Sequence, residues 1–224
     1  MWIELKQMSL DEFLEYLPKL NDEQHYLFYL ISRDKEVKEE LGVNIDKVLF
    51  RLSEVNPSRA VHIMNSVREV SNVFTVRGMQ VKKEWVKIMF VLNPVNFVKA
   101  SRATATKFVQ QCCSGTKLDI MKIYNSEISR SIDFRIFMID VDNKSKEIIE
   151  QMKGLKARLV ITTKRGFHIH IWKEDITDPR LLFKIKGVEV KTRDSLEYVP
   201  FVNQGSFTPI AYRIDDAGEV TELL

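Results

Sequence analysis

Apolar positions along this chain change period several times, and each change marks an element. Leu10, Phe13, Leu14 and Leu17 recur at helical spacing. They follow Ser9 to Glu12, which reads as a capping box in which hydroxyl and carboxylate satisfy each other's free amides. Tyr26, Leu27, Leu30 and Ile31 repeat a helical stripe with Asn21 placed to cap it, and Ile45 to Ser53 gives a third helical stretch. A small helical unit is therefore expected over residues 1–60, with a second domain over 61–224. Around Asn56 and Pro57 the pattern shifts. Val73 to Val76 and Val86 to Leu92 are rich in β-branched and aromatic residues and predict strands, the second stopped by Asn93-Pro94. Asn96 to Cys112 returns to helical spacing, with Phe97, Ala100 and Phe108 on one side.

Phe134 to Asp140 is a run suited to a strand buried on both faces. Ser145 to Met152 predicts a short helix, and Gly154 is placed to end it in the left-handed conformation. Leu159 to Thr162 and Phe167 to Trp172 predict two strands around a tight turn at Lys164, Arg165 and Gly166. Thr177 to Ile185 reads as helix, Val188 to Thr192 and Glu197 to Phe201 as strands, and Ile210 to Ile214 as a weaker strand. The order predicts an α+β fold, with a mainly antiparallel sheet and helices on one face.

Composition adds bounds. The chain has 224 residues, 45% of them hydrophobic and 29% charged, an ordinary globular balance that excludes long disorder. A net charge of +3 means that any nucleic-acid footprint must be local. Cys112 and Cys113 are adjacent, so they are poorly placed to bridge each other, and no CxxC pair exists to build a zinc site. A reducing, cytoplasmic setting follows as the expectation. Met1 to Leu17 is amphipathic and acidic, so no export signal is expected there. The apolar stretch Ile88 to Leu92 is far too short to span a membrane, and no membrane partner is expected.

The candidate chemistry starts at the end of the buried run, where Asp140 and Asp142 follow Phe137, Met138 and Ile139. Residues two apart on a strand share a face. Two bare carboxylates that close repel, and a divalent cation relieves the conflict. Mg2+ or Mn2+ suits oxygen ligands and shares them with substrate phosphates. Asp-x-Asp alone is a common polar strand end; the apolar run before it is what distinguishes this one.

A second cluster runs from Thr162 to His170. Gly166 allows a tight turn to approach a ligand, and Lys164 and Arg165 on that turn offer a point charge and a fork for phosphates. His168 and His170 share a strand face. The window Gln151 to Lys173 holds six Lys or Arg residues and no Asp or Glu, the character of either a solvated face or a phosphate patch. On a later strand, Glu189 and Lys191 again share a face, as a third metal carboxylate with a phosphate contact or as a surface pair.

In this order the three segments resemble the archaeo-eukaryotic primase (primase-polymerase) superfamily, most of all the short proteins of viruses and mobile elements. The match lies in Ile139-Asp140-Val141-Asp142, in Thr163 to His168 through Gly166, and in Val188-Glu189, within roughly Val86 to Ile214. The resemblance extends to Val91 to Pro94, Tyr198 to Pro200 and Gln204 to Phe207. It implies an RRM-like catalytic core in which Asp140, Asp142 and Glu189 hold two Mg2+ or Mn2+ ions. His168 would bind the phosphates of an incoming nucleoside triphosphate, with Lys164, Arg165, Lys191 and His170 as supporting contacts. The implied activity is a metal-dependent nucleotidyltransferase, a DNA primase or polymerase extending a 3′-hydroxyl on a single-stranded template. The chain departs from relatives that carry a zinc-binding element. This points either to a helicase or accessory replication protein as partner, in the host cytoplasm for a viral protein, or to an inactive relative that only binds.

Two other readings compete. Phe167 to His170 fits the histidine–hydrophobe–histidine metal pair of rolling-circle and relaxase endonucleases. Those enzymes need a tyrosine nucleophile, yet no Tyr-x-x-Lys follows the histidines, and Asp140 and Asp142 are left without a task. A non-enzymatic RRM-like module would bind single strands by aromatic stacking, but the aromatics here sit mostly within apolar runs.

Overall fold

The computed structural model describes residues 6–33, 39, 42–115, 117–142, 146–152 and 154–214. In chain order the first half contains β1 (Lys6–Gln7), α1 (Leu10–Tyr16), β2 (Gln24–Ser32), β3 (Lys47–Glu54), α2 (Pro57–Glu69), β4 (Thr75–Val76), β5 (Met79–Gln80), β6 (Val86–Val91) and β7 (Val95–Asn96). The second half continues with α3 (Phe97–Ser114), α4 (Ile120–Arg130), β8 (Ile136–Val141), α5 (Lys146–Gln151), β9 (Leu159–Thr162), β10 (Phe167–Trp172), β11 (Glu189–Lys191), β12 (Leu196–Tyr198) and β13 (Ala211–Arg213). The fold is α+β, and its strands pair antiparallel in each sheet.

Helices begin where side chains can absorb the free amides of the first turn. Ser9 and Glu12 form the expected reciprocal capping box of α1. Asn56, Asn96 and Asp119 cap α2, α3 and α4, each accepting from the backbone three residues on. Gly154 takes the expected left-handed conformation, with φ of 82°. Ser145, the expected start of α5, lies outside the described residues. The expected helix at Thr177 to Ile185 is a 3-10 turn over Pro179–Lys184.

The expected helical unit over residues 1–60 is corrected. Among the described residues α1 is helical as expected, but Tyr26 to Ile31 lie in β2, and β3 takes up the expected helical stretch at Ile45 to Ser53. β2 is buried on both faces, which erases the polar/apolar alternation and leaves a spacing that imitates a helix stripe. Asn21 accepts from the Glu23 amide in a turn that leads into a strand rather than a helix. β2 pairs with both β3 and β6, so the expected boundary near residue 60 runs through one hydrogen-bonded sheet.

One sheet has the order β1-β13-β9-β10-β8-β11, and a second has β12-β6-β2-β3 with β7 joined to β2. A shared core draws Met138 and Ile161 from the first sheet, Phe28, Leu30 and Phe90 from the second, Phe13 from α1 and Met64 from α2. The opposite face of the first sheet, with Phe137, Ile139 and Ile169, packs against Ile148 and Met152 around α5. β8 is thus apolar on both sides, as its sequence predicts. Each fully buried Phe, Leu or Ile contributes about 1.5–3 kcal/mol relative to exposure. α3 and α4 cover the far face of the second sheet through Ala100 and Ile128 against Leu27 and Val91.

A buried amide ties the two sheets together. Asn93 donates to the carbonyls of Ile136 and Thr192 and accepts from the amides of Arg135 and Ile136, which joins the end of β6 to the start of β8. Within the second sheet, the buried Gln204 amide donates to the carbonyls of Ile88 and Val199 and accepts from the Ile88 amide, which joins β6 to the end of β12. Cys112 and Cys113 are free and exposed. Among the described residues, no helix is long and apolar enough to cross a membrane.

Candidate active site

The register of three neighbouring strands sets the site. Asp140 on β8 lies directly opposite His168 on β10, and on its other side directly opposite Glu189 on β11. Directly opposed residues of an antiparallel pair point to the same face, so these three side chains form a row across the sheet. Asp142, two residues on, lies just past the end of β8 and is exposed. Asp140, Asp142, His168 and Glu189 all line one cleft of about 580 Å³. Lys164, Arg165 and Lys191 line the same cleft, so all of the expected site residues except His170 come together.

The glycine turn explains how Lys164 and Arg165 arrive there. The Thr163 hydroxyl accepts from the Gly166 amide at 3.1 Å, and the Thr163 amide donates to the Gly166 carbonyl at 3.0 Å. A Cβ on Gly166 would stand 1.8 Å from the Val141 carbonyl oxygen. Only glycine lets the basic turn press against the strand end that carries Asp142.

His170 is corrected as a nucleotide contact. Its side chain is fully buried, at 0% exposure. Its Nε2 donates to Glu197 Oε2 at 2.9 Å, and its ring stacks on Tyr16 with centroids 6.0 Å apart. His170 therefore faces Glu197 and the core, whereas His168 lines the cleft.

Glu197 is the residue that sequence reasoning missed. It sits on β12 with 0% exposure and takes both histidines, His168 Nδ1 donating to Oε1 at 2.7 Å. The Tyr198 amide also donates to Oε1 at 2.7 Å. An acid flanked by Leu196 and Tyr198 reads as the solvent side of a strand; only its two histidine partners reveal otherwise. His168 is thereby fixed with Nδ1 inward and Nε2 3.4 Å from Asp140 Oδ1. Tyr198 stacks on the His168 ring at 5.9 Å and 16°, and Phe207 packs edge-on against Tyr198. Arg33, just past the end of β2, and Lys87, on β6, bring two further cations to the cleft.

The charges are strongly coupled. Burial by itself would lower the His168 pKa, but the Glu197 charge and the contacts with Asp140 raise it to about 9. Burial would raise Glu197, yet the charge and hydrogen bonds of His168 and His170 hold it down at about 2. Asp140 likewise resists burial and is held well below the carboxylate range by His168 and Lys191. His168 is thus an imidazolium at neutral pH, with one edge facing the cleft.

Asp140, Asp142 and Glu189 offer carboxylate oxygens to the same cleft, the donor type that a hard divalent cation takes. Among the described residues, no group of three or more His, Cys, Asp or Glu side chains is drawn together around a single point. The Lys191 ammonium stands between two of the carboxylates instead, 2.5 Å from Asp140 Oδ2 and 3.4 Å from Glu189 Oε2. A cation is therefore already demanded between these opposed acids. No protein-family model, no curated protein and no solved structure matches this chain.

Proposed function

We propose that this protein is a metal-dependent nucleotidyltransferase of the primase-polymerase kind, with an RRM-like catalytic core, which adds nucleotides to a 3′-hydroxyl on a single-stranded template. The observation that carries the reading is the row His168–Asp140–Glu189 across three adjacent strands, at a cleft that also holds Lys164 and Arg165. Acids and fixed cations side by side match what transfer of a phosphoryl group from a triphosphate needs.

Asp140, Asp142 and Glu189 would hold Mg2+ or Mn2+, which when bound lowers the pKa of an attacking hydroxyl and neutralises phosphate charge. His168 binds the phosphates of the incoming nucleoside triphosphate through Nε2, with its proton secured by Glu197. Arg165 grips phosphate oxygens by its fork and Lys164 as a point charge. Tyr198 and Phe207 form an aromatic wall beside His168, suited to the sugar or base. Primer, template and a helicase or accessory replication protein are the partners this reading implies. The free cysteines agree with a cytoplasmic setting.

Labelled-nucleotide extension, with and without a primer and with Mg2+ or Mn2+, tests the proposal. Wild type is expected to incorporate nucleotide, and Asp140→Ala with Asp142→Ala to lose incorporation while keeping its circular-dichroism spectrum. Wild type that binds nucleic acid but never extends it, or that cleaves it with covalent attachment through tyrosine, would refute the proposal.

A further inference from the structure

Resting on the metal site just proposed, we infer that Lys191 is a tethered counter-cation. It neutralises the Asp140–Glu189 pair in the metal-free protein and transfers to substrate phosphate when a divalent cation takes its place. Asp140 and Glu189 are directly opposed on neighbouring strands, and like charges so placed destabilise a sheet. Lys191 lies two residues beyond Glu189 on the same face of β11, and its ammonium bridges both carboxylates. The Asp140 and Lys191 side chains are only 18% and 28% exposed, so this contact is shielded more than an ordinary surface pair.

An ammonium 2.5 Å from Asp140 Oδ2 and a metal ligated by that same oxygen at about 2.1 Å would occupy overlapping space. One must leave. Lysine suits the exchange, because its charge rides on a flexible four-carbon stem rather than a rigid fork. Lys191 lines the same cleft as His168, Lys164 and Arg165, so a triphosphate seated on those residues offers the displaced ammonium a new anion within reach. Metal arriving alone pushes the ammonium into water; metal arriving with triphosphate gives it a partner. Lys191 thereby couples the two binding events and disfavours loading of metal without nucleotide.

The test measures Mn2+ binding to the full chain by electron paramagnetic resonance of free Mn2+, for wild type, Lys191→Met, Lys191→Arg and Asp140→Asn. Lys191→Met is expected to bind Mn2+ alone roughly tenfold more tightly than wild type, the size of one charge-assisted contact no longer displaced. With Mn2+ saturating, the same variant is expected to bind a non-hydrolysable nucleoside triphosphate analogue about tenfold more weakly. Lys191→Arg keeps the positive charge and is expected to bind Mn2+ no more tightly than wild type. Unchanged or weaker Mn2+ binding by Lys191→Met, or tighter binding by Lys191→Arg, overturns the inference and leaves the metal site standing. Mn2+ binding that is indifferent to Asp140→Asn overturns the metal site itself.

Discussion

Glu197→Gln isolates the buried charge network, because it keeps the shape of the side chain and removes only its charge. His168 stays protonated chiefly through that carboxylate, which raises its pKa to about 9 from an ordinary 6.5. Linkage of proton uptake to folding makes this shift worth about 2.5 kcal/mol near neutral pH. His168 is only 5% exposed, so solvent screening takes little from that figure. Asp140 remains beside the ring in the variant and retains part of the effect. An overall loss of about 2–3 kcal/mol is expected, or roughly 5–10 °C in Tm for a chain of this size.

The pH dependence carries the sign. The raised His168 pKa contributes stability that is complete below about 6.5 and disappears as pH rises through about 9. The lowered Glu197 pKa contributes above about 4.5 and is lost as pH falls towards about 2. Wild type should therefore exceed Glu197→Gln most between about pH 4.5 and 6.5, with the gap closing above about pH 9. Thermal unfolding followed by circular dichroism in metal-free buffer measures both values. A gap of equal size near pH 6 and near pH 10, or no gap at all, would refute the reasoning.

Three further outcomes follow from the geometry. Gly166→Ala places a methyl group against the Val141 carbonyl, so a loss of about 1–3 kcal/mol is expected together with weaker nucleotide binding, by thermal melting and calorimetry. His168→Ala should weaken binding of a nucleoside triphosphate about tenfold, whereas His170→Phe should chiefly lower Tm by leaving Glu197 with one fewer donor, and calorimetry beside melting separates the two. Lys164→Ala with Arg165→Ala should raise the nucleotide KM and flatten its dependence on salt, with Tm nearly unchanged, since both side chains are exposed.

The strands that build the site were legible because burial on both faces left a plain apolar run ending in two acids. Spacing paired residues only within each strand, and the resemblance joined Asp140, His168 and Glu189 into one set; the register brings these three side by side. β2 was not legible for a related reason: its two buried faces contact different cores, so the period that separates strand from helix is missing. The pattern shift around Asn56 and Pro57 is the start of α2, with proline in the first turn, where it costs no hydrogen bond. α4, over Ile120–Arg130, was not distinguished from its surroundings, and its capping residue Asp119 was the available signal. Glu197 and the burial of His170 depend on how the second sheet meets the first, a long-range relation that no local pattern encodes.

The proposed site requires that Asp140 and Glu189 share a divalent cation beside a phosphate-binding His168. Anomalous diffraction from crystals grown with Mn2+ and a non-hydrolysable nucleoside triphosphate reads this directly. Manganese between Asp140 and Glu189, with phosphate oxygens on His168 Nε2, is the expected map. Manganese seated at Glu197 and His170, or triphosphate bound away from the Lys164–Arg165 turn, would rule the proposed site out.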